Sequence, residues 1–268
     1  MDIEGGEDGP GPGGGGAGTV TVERISLLTV PLDIVPQEQL PDLVIDLLRT
    51  RGGGNIVLLS LQDLLRARRN GDYRDYVLGA ALVIPISRSL VSGARFLTGK
   101  TPIRYMPFDF TVSLLTILEK REFTTYLLGG SAQVLHKTEK NIRATFPHLR
   151  IVGRNPGGWR RQREGDLLQA VHKAAPALLL VAKGVRGKER WIVRNHENLA
   201  PGLRLWCSDL FEVFAEYRRR PSRAAFDKGL EWVGYFFQRP WLFFRIFSWL
   251  YYKILLLIYR LFVRKPKS

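Results

Sequence analysis

Apolar residues fall into short, unalternated runs separated by longer stretches of helical period. ISLLTV (25–30), NIVLLS (55–60), AALVIP (80–85), TTYLLGG (124–130), LRIVG (149–153), ALLLVAKG (177–184) and LRLWCS (203–208) are each of strand length, and several end at Gly, Ser or Pro. Residues 38–48, 61–69, 110–120, 132–146, 164–174, 188–199 and 209–219 carry helical patterns between or beyond them. Strands without polar alternation are buried on both faces. The pattern therefore predicts an α/β fold, a largely parallel Rossmann-like sheet flanked by helices. Ligands of such sheets bind beyond the carboxyl ends of the strands.

The two ends of the chain depart from this pattern. Residues 1–19 are Gly-rich and acidic with nothing to bury, which predicts a disordered leader. They lack the basic start and apolar run of a secretory signal. The folded unit is expected over 20–216, and residues 217–268 form a basic, aromatic-rich appendage expected to associate with a membrane. Its core, Trp241–Val263, is long enough to cross a hydrocarbon layer but contains Arg245, Lys253 and Arg260. At about 100° per residue these lie at roughly 0°, 80° and 60° around the axis, so the cations share one side. Charges inside a lone span are costly, whereas one cationic stripe on an aromatic helix suits the membrane surface. A basic amphipathic interfacial helix is the favoured reading. A packed core or dimerisation helix and a single span are the alternatives.

Charge sharpens this. The chain of 268 residues carries a net +15. Residues 1–50 hold nine acidic and two basic side chains, a balance of −7, and from Tyr217 onward twelve basic residues face two acidic ones, or +10. An anionic partner is implied, and the mixing of cations with Trp, Phe, Leu and Ile favours lipid over nucleic acid. A lone cysteine, Cys207, excludes an intrachain disulfide. The histidines (His136, His148, His172, His196) share no ligand spacing, so no metal site is expected.

No Walker loop, HExxH, GxSxG or early GxGxxG is present. The stretch YLLGGSAQVL (126–135) reads as strand, glycine turn and helix. Gly129 and Gly130 allow a tight turn, and the helix beyond Ser131 would offer free N–H groups to a diphosphate.

YLLGGSAQVL, FPHLRIVG (146–153) with Gly157-Gly158, GVRGKERWIVRN (184–195) and GLEW (229–232) stand in an order and spacing that resembles the WecG/TagA/CpsF glycosyltransferase family, from about Arg24 to Arg245. The resemblance implies a metal-independent hexosyltransferase without a cofactor. It would move a sugar from a UDP-sugar to a sugar on a polyprenyl diphosphate, in cell-envelope or exopolysaccharide synthesis. It further implies a peripheral place on the cytoplasmic face of the cell membrane and assembly as a homo-oligomer. Gly129, Gly130, Ser131, Gly184, Lys188 and Glu189 would then bind the nucleotide-sugar, and Arg104, Arg220 and Arg223 the acceptor diphosphate. Arg104, Asp109, Glu189, Arg220, Glu231 and Trp232 match the family pattern.

Several positions depart from it. Where the family carries its proposed catalytic Asp, followed by Gly, this chain has Ile86 and Ser87. The family's Thr and Asn correspond to Leu58 and Ser60, and its Pro-Lys-Gln-Glu signature reads Arg186-Gly187-Lys188-Glu189. Two tail arginines are Tyr235 and Leu242. Isoleucine cannot accept the proton of a sugar hydroxyl, so another carboxylate must do so if the chain is active. Asp109 is the first candidate, with a helix N-cap as its ordinary alternative role, and Glu212 is the second. Lys188 adds a cation able to neutralise a leaving diphosphate. The competing expectation is an inactive relative acting as a membrane-bound scaffold or regulatory partner of an active glycosyltransferase.

Overall fold

Parallel strands must be covered on both faces, and the alternation within each strand shows how. In the computed structural model, which describes residues 22–49, 52–69, 71–220, 223, 226 and 244–263, the chain opens on a hairpin of β1 (Glu23–Leu27) and β2 (Val30–Ile34). Helix α1 (Leu40–Arg49) leads to β3 (Gly53–Leu59), α2 (Leu61–Ala67), α3 (Asp72–Leu78) and β4 (Leu82–Pro85). Next come α4 (Arg88–Thr98), α5 (Pro107–Lys120), β5 (Thr124–Leu128), α6 (Ala132–Thr145) and β6 (Arg150–Asn155). The remaining elements are α7 (Glu164–Ala174), β7 (Leu178–Ala182), α8 (Glu189–Arg194), β8 (Gly202–Ser208), α9 (Leu210–Phe214) and α10 (Phe244–Ile258), which runs on into a π-helical turn, Tyr259–Val263. The main sheet has six strands in the order β4-β3-β8-β7-β5-β6, with every pair parallel.

Successive residues of β3, β4, β5, β7 and β8 serve opposite cores, whereas edge strand β6 alternates exposed with half-buried positions. Val57, Leu59, Val83, Leu128, Leu179 and Val181 pack with the hairpin, α2, α3, α4, α7, α8 and α10. Ile56, Leu82, Ile84, Leu127, Leu180 and Leu205 pack with α1, α5, α6 and α9. The helices after β5 and β8 thus leave onto one face and those after β3, β7 and β6 onto the other. Such divergence opens crevices at the carboxyl edge.

The expected α/β class is the observed one, with three local differences. The run 25–30 is not one strand: Leu28 (φ 51°) and Thr29 (φ 74°) turn the chain into the hairpin. The hairpin is held to the sheet by Asp33, which is buried and takes hydrogen bonds from Arg24 and from the Val83 N–H at 2.6 Å. Helices α3 and α4 were not expected. Their mixed Asp, Arg, Ser and Gly content hides a narrow buried stripe, Leu90, Ala94 and Leu97 in α4. The C-terminal helix is present from Phe244, and among the described residues no helix is long and apolar enough to cross a membrane. The leader (1–19), Glu231, Trp232, Tyr235 and Leu242 lie outside the described residues.

Buried phenols make the fold sensitive to alkali. Tyr105, whose hydroxyl donates to the Val35 carbonyl at 2.9 Å, is pushed from 10.0 up to about 12 by burial, with Glu38 adding to it. Burial also raises Tyr73, Tyr76, Tyr126 and Tyr252. Above the ordinary value the unfolded chain binds fewer protons than the folded one, so stability falls as pH rises. The contribution is whole below pH 10.0 and is lost towards 12. The denaturant midpoint is expected to drop across that window, with phenolate absorbance appearing together with unfolding. Phenolate absorbance complete well before unfolding would contradict this burial.

Candidate functional site

The glycine turns at the carboxyl edge interlock. The Gly129 N–H donates to the Asn155 carbonyl at 2.9 Å, Gly130 N–H to Lys183 at 2.6 Å, Gly157 N–H to Gly130 at 2.8 Å and Gly158 N–H to Gly184 at 2.9 Å. The ends of β5, β6 and β7 are thereby laced, and Lys183 N–H reaches Ser208 at the end of β8 (2.9 Å). Side chains are excluded where the backbones meet. A Cβ on Gly129 would stand 2.7 Å from the Ala182 oxygen, and one on Gly157 would stand 2.6 Å from the Gly184 carbonyl carbon. Gly130 sits at φ +70°, directly before the N-cap of α6.

Ser131 caps that helix, its Oγ accepting from Val134 N–H at 3.3 Å. Ser131, Ala132 and Gln133 are exposed, and the first turn carries no acidic residue. A fourteen-residue helix with its amino end open at a sheet's carboxyl edge favours an anion. Beside it, Lys183 is exposed, with Nζ 3.9 Å from Glu212 Oε1. The other Glu212 oxygen is buried and has no hydrogen-bond partner. Sequence reasoning passed over Lys183, although it directly follows a strand run and precedes Gly184.

Lys188 and Glu189 play different parts in the turn before α8. Lys188 is exposed and held at φ 55°, ψ −134°, a conformation costing on the order of 1–3 kcal/mol for a non-glycine residue. Glu189 turns inward: it is 5% exposed, and Oε1 accepts from Arg66 at 2.6 Å. The Arg66 guanidinium also lies 3.9 Å over the Tyr73 ring. Glu189 thus ties α8 to α2 and α3 and is a strut for the Lys188 turn.

A second group of sequence-predicted residues gathers toward β4. Arg104 donates through Nε to the Ile86 carbonyl at 3.0 Å and through Nη1 to the Phe226 carbonyl at 2.8 Å, with the Phe226 ring 3.6 Å from its guanidinium. Asp109 lies in the first turn of α5, but it is not the cap. The helix starts at Pro107 with Met106 at the N-cap, because proline fits the first helical position. The Asp109 side chain is half-buried, without a hydrogen bond or ion pair among the described residues. Arg220 stands 5.4 Å over Phe108, which packs on Phe214 at 4.8 Å. Arg218 pairs with Asp209, and Arg223 is exposed. Short α9 lies between the two groups, with Phe214 against Phe108 and Phe211 3.6 Å from a Cβ placed on Gly130.

The positions that depart from the family pattern are structurally occupied. Ser60 forms a capping box with Asp63 at the start of α2, and Ser87 Oγ accepts from Leu61 N–H at 3.2 Å. Both hydroxyls are engaged in local structure, next to an Ile86 that carries no polar group. Among the described residues no three His, Cys, Asp or Glu side chains converge to hold a metal.

A six-stranded parallel sheet covered by helices on both faces, with an interlaced glycine turn at its carboxyl edge, places the chain in the doubly wound α/β class. A family model described as the glycosyl transferase WecG/TagA/CpsF family matches residues 25–268. The chain belongs to this family of glycosyltransferases of cell-envelope polysaccharide synthesis, which act on sugar donors and acceptors.

Proposed function

We propose that the protein transfers a sugar from a UDP-sugar to a polyprenyl-diphosphate-linked sugar at the cytoplasmic face of the membrane. The observation that carries this reading is the glycine cradle opening on the amino end of α6, with Lys183 and Lys188 beside it. The donor diphosphate lies over Gly129, Gly130, Ser131 and Gly184. The two lysines offset the charge that grows on the leaving UDP. Arg104 and Arg220 meet the acceptor diphosphate, with exposed Arg223 in reserve. In the transfer, the acceptor hydroxyl oxygen bonds the sugar's anomeric carbon as the bond from that carbon to UDP breaks. The hydroxyl proton passes to Asp109, in place of the absent carboxylate at Ile86.

Membrane attachment is read from α10. Phe247, Leu250, Ile254, Leu257 and Leu261 are exposed on the side opposite buried Tyr252, with Lys253 and Arg260 on one flank. An apolar face bordered by cations suits the boundary of an anionic bilayer. Association of the chain with itself is part of the same reading by family resemblance.

Calorimetry of the full chain in detergent with UDP and UDP-sugars tests the donor site. Gly130→Val and Lys188→Ala are each expected to weaken binding about tenfold or more, since a charge-assisted contact is worth roughly 1.5–3 kcal/mol. Lys188→Gly is expected to lose the same affinity while gaining stability by relief of its backbone strain. If activity is present, Asp109→Asn should lower kcat by about 10²–10⁴ and Glu212→Gln by much less. Absence of nucleotide binding in the unaltered protein, with liposome binding retained, would favour the second reading. In that reading the chain is an inactive relative serving an active partner, and the engagement of Ser60 and Ser87 in helix caps beside Ile86 supports it.

A further inference from the structure

The two anion-binding groups stand over different strands, and this gives the donor a direction. The glycine cradle belongs to β5, β6 and β7, while Arg104 lies beside the end of β4, toward the opposite edge of the sheet. The carbon that changes partners must lie between the donor and acceptor diphosphates. The transferred sugar therefore points from the cradle toward β4, and the nucleoside leaves the cradle toward β6, the edge strand.

On that side the loop after β6 presents one large flat side chain, Trp159. It follows Gly157 and Gly158, whose N–H groups are bonded to Gly130 and Gly184, so its backbone is tied to the cradle itself. The ring is half-buried and meets Trp191 at 6.0 Å between centroids and an angle of 71°. Trp191 is 0% exposed, and its Nε1–H donates to Glu164 at 2.7 Å, so the support beneath Trp159 is itself fixed. The other aromatic rings by the cradle are committed elsewhere: Phe211 is buried under Gly130, and Phe108 lies on Phe214 on the acceptor side. Arg160, Arg161 and Arg163, which follow Trp159, are exposed and add positive potential along the same rim.

We propose that Trp159 is the platform on which the donor's nucleobase stacks, with the base toward β6 and the sugar toward β4. This rests on the donor reading above and adds to it a residue and an orientation. Stacking on an indole is tolerant of base identity, so Trp159 holds the nucleoside in place while other contacts select it.

The test is calorimetry of the full chain in detergent with UDP and, separately, with inorganic pyrophosphate, for the unaltered protein, Trp159→Ala and Trp159→Phe. Trp159→Ala is expected to bind UDP roughly ten- to a hundredfold more weakly and pyrophosphate unchanged, with Trp159→Phe keeping most of the UDP affinity. Equal UDP affinity in Trp159→Ala would overturn the platform while leaving the donor site standing. Parallel loss of UDP and pyrophosphate binding would overturn it too, since the ring would then only support the fold. Failure of the unaltered protein to bind UDP would instead remove the donor reading, and the platform with it.

Discussion

Gly93→Val is expected to release α10 from the body of the protein while leaving the sheet intact. A Cβ at Gly93 would overlap the Tyr252 hydroxyl and stand 2.9 Å from its Cζ and 3.3 Å from Leu256 Cδ1. These two are the side chains of α10 that are fully buried among those described. Tyr252 is 0% exposed and donates its hydroxyl to the Ser89 carbonyl at 2.9 Å, which fixes the helix in register on α4. Arg260 over Phe96 at 4.4 Å adds only a half-exposed contact. Overpacking such a seat costs about 1–3 kcal/mol, and losing the buried ring costs about as much as a large aromatic truncation, 3–5 kcal/mol. Little of this is recovered elsewhere, because only the half-buried Leu255 and Tyr259 join the same core. Amide exchange over residues 244–263 should lose its protection, with protection of β3, β7 and β8 unchanged. Tyr252→Phe removes only the hydroxyl and should cost about 1 kcal/mol. Unchanged protection in Gly93→Val would show that the helix is not seated as described.

Gly157→Ala is expected to damage the cradle more than its size implies. The backbone of Gly157 is not in the left-handed region, so alanine meets no conformational penalty there and the obstacle is proximity alone. The new methyl would stand 2.6 Å from the Gly184 carbonyl carbon and 2.9 Å from its Cα, and neither can rotate away. The strand ends must separate, which disturbs the hydrogen bonds from Gly157 to Gly130 and from Gly158 to Gly184. A loss of about 1–3 kcal/mol in stability follows from strain of this kind. Affinity for UDP should fall at least about tenfold, because the cradle geometry is the binding surface in the proposed donor site. Gly165→Ala is the control. It lies in α7 with nothing within 4 Å of its Cβ, so it should be neutral or gain up to about 1 kcal/mol. Urea midpoints and UDP calorimetry on the two variants check both statements. Equal behaviour of the two would show that the close approach does not matter.

These expectations trace which parts of the molecule could be read from the linear chain. The run ALLLVA is apolar at every position, and YLL of β5 likewise lacks polar alternation, because their strands serve two cores, and that property survives in the sequence alone. Gly129-Gly130 before Ser131 was legible for a related reason: the turn, the cap and the helix are contiguous. Helix α4 was not legible, since its buried stripe of Leu90, Ala94 and Leu97 gains meaning only from the hairpin and α10 packed over it. The N-cap role, the ordinary alternative for Asp109, does not hold, because proline at the helix start places the boundary three residues upstream, with Met106 at the cap.

By itself the sequence determined the fold class, the glycine turn that leads from β5 into α6 and the cationic, aromatic composition of the tail. Each of these follows from local composition and periodicity. Tertiary structure alone decided that Glu189 faces Arg66 inside the protein while neighbouring Lys188 faces out. It likewise decided that the Ser87 hydroxyl is spent on the first N–H of α2, and that Gly157, Gly130 and Gly184 form one cradle from three strands. The reason is physical. A hydrogen bond between residues 130 and 157, or an ion pair between 66 and 189, depends on the order of strands in the sheet and the faces from which their helices leave. No window of contiguous residues encodes either.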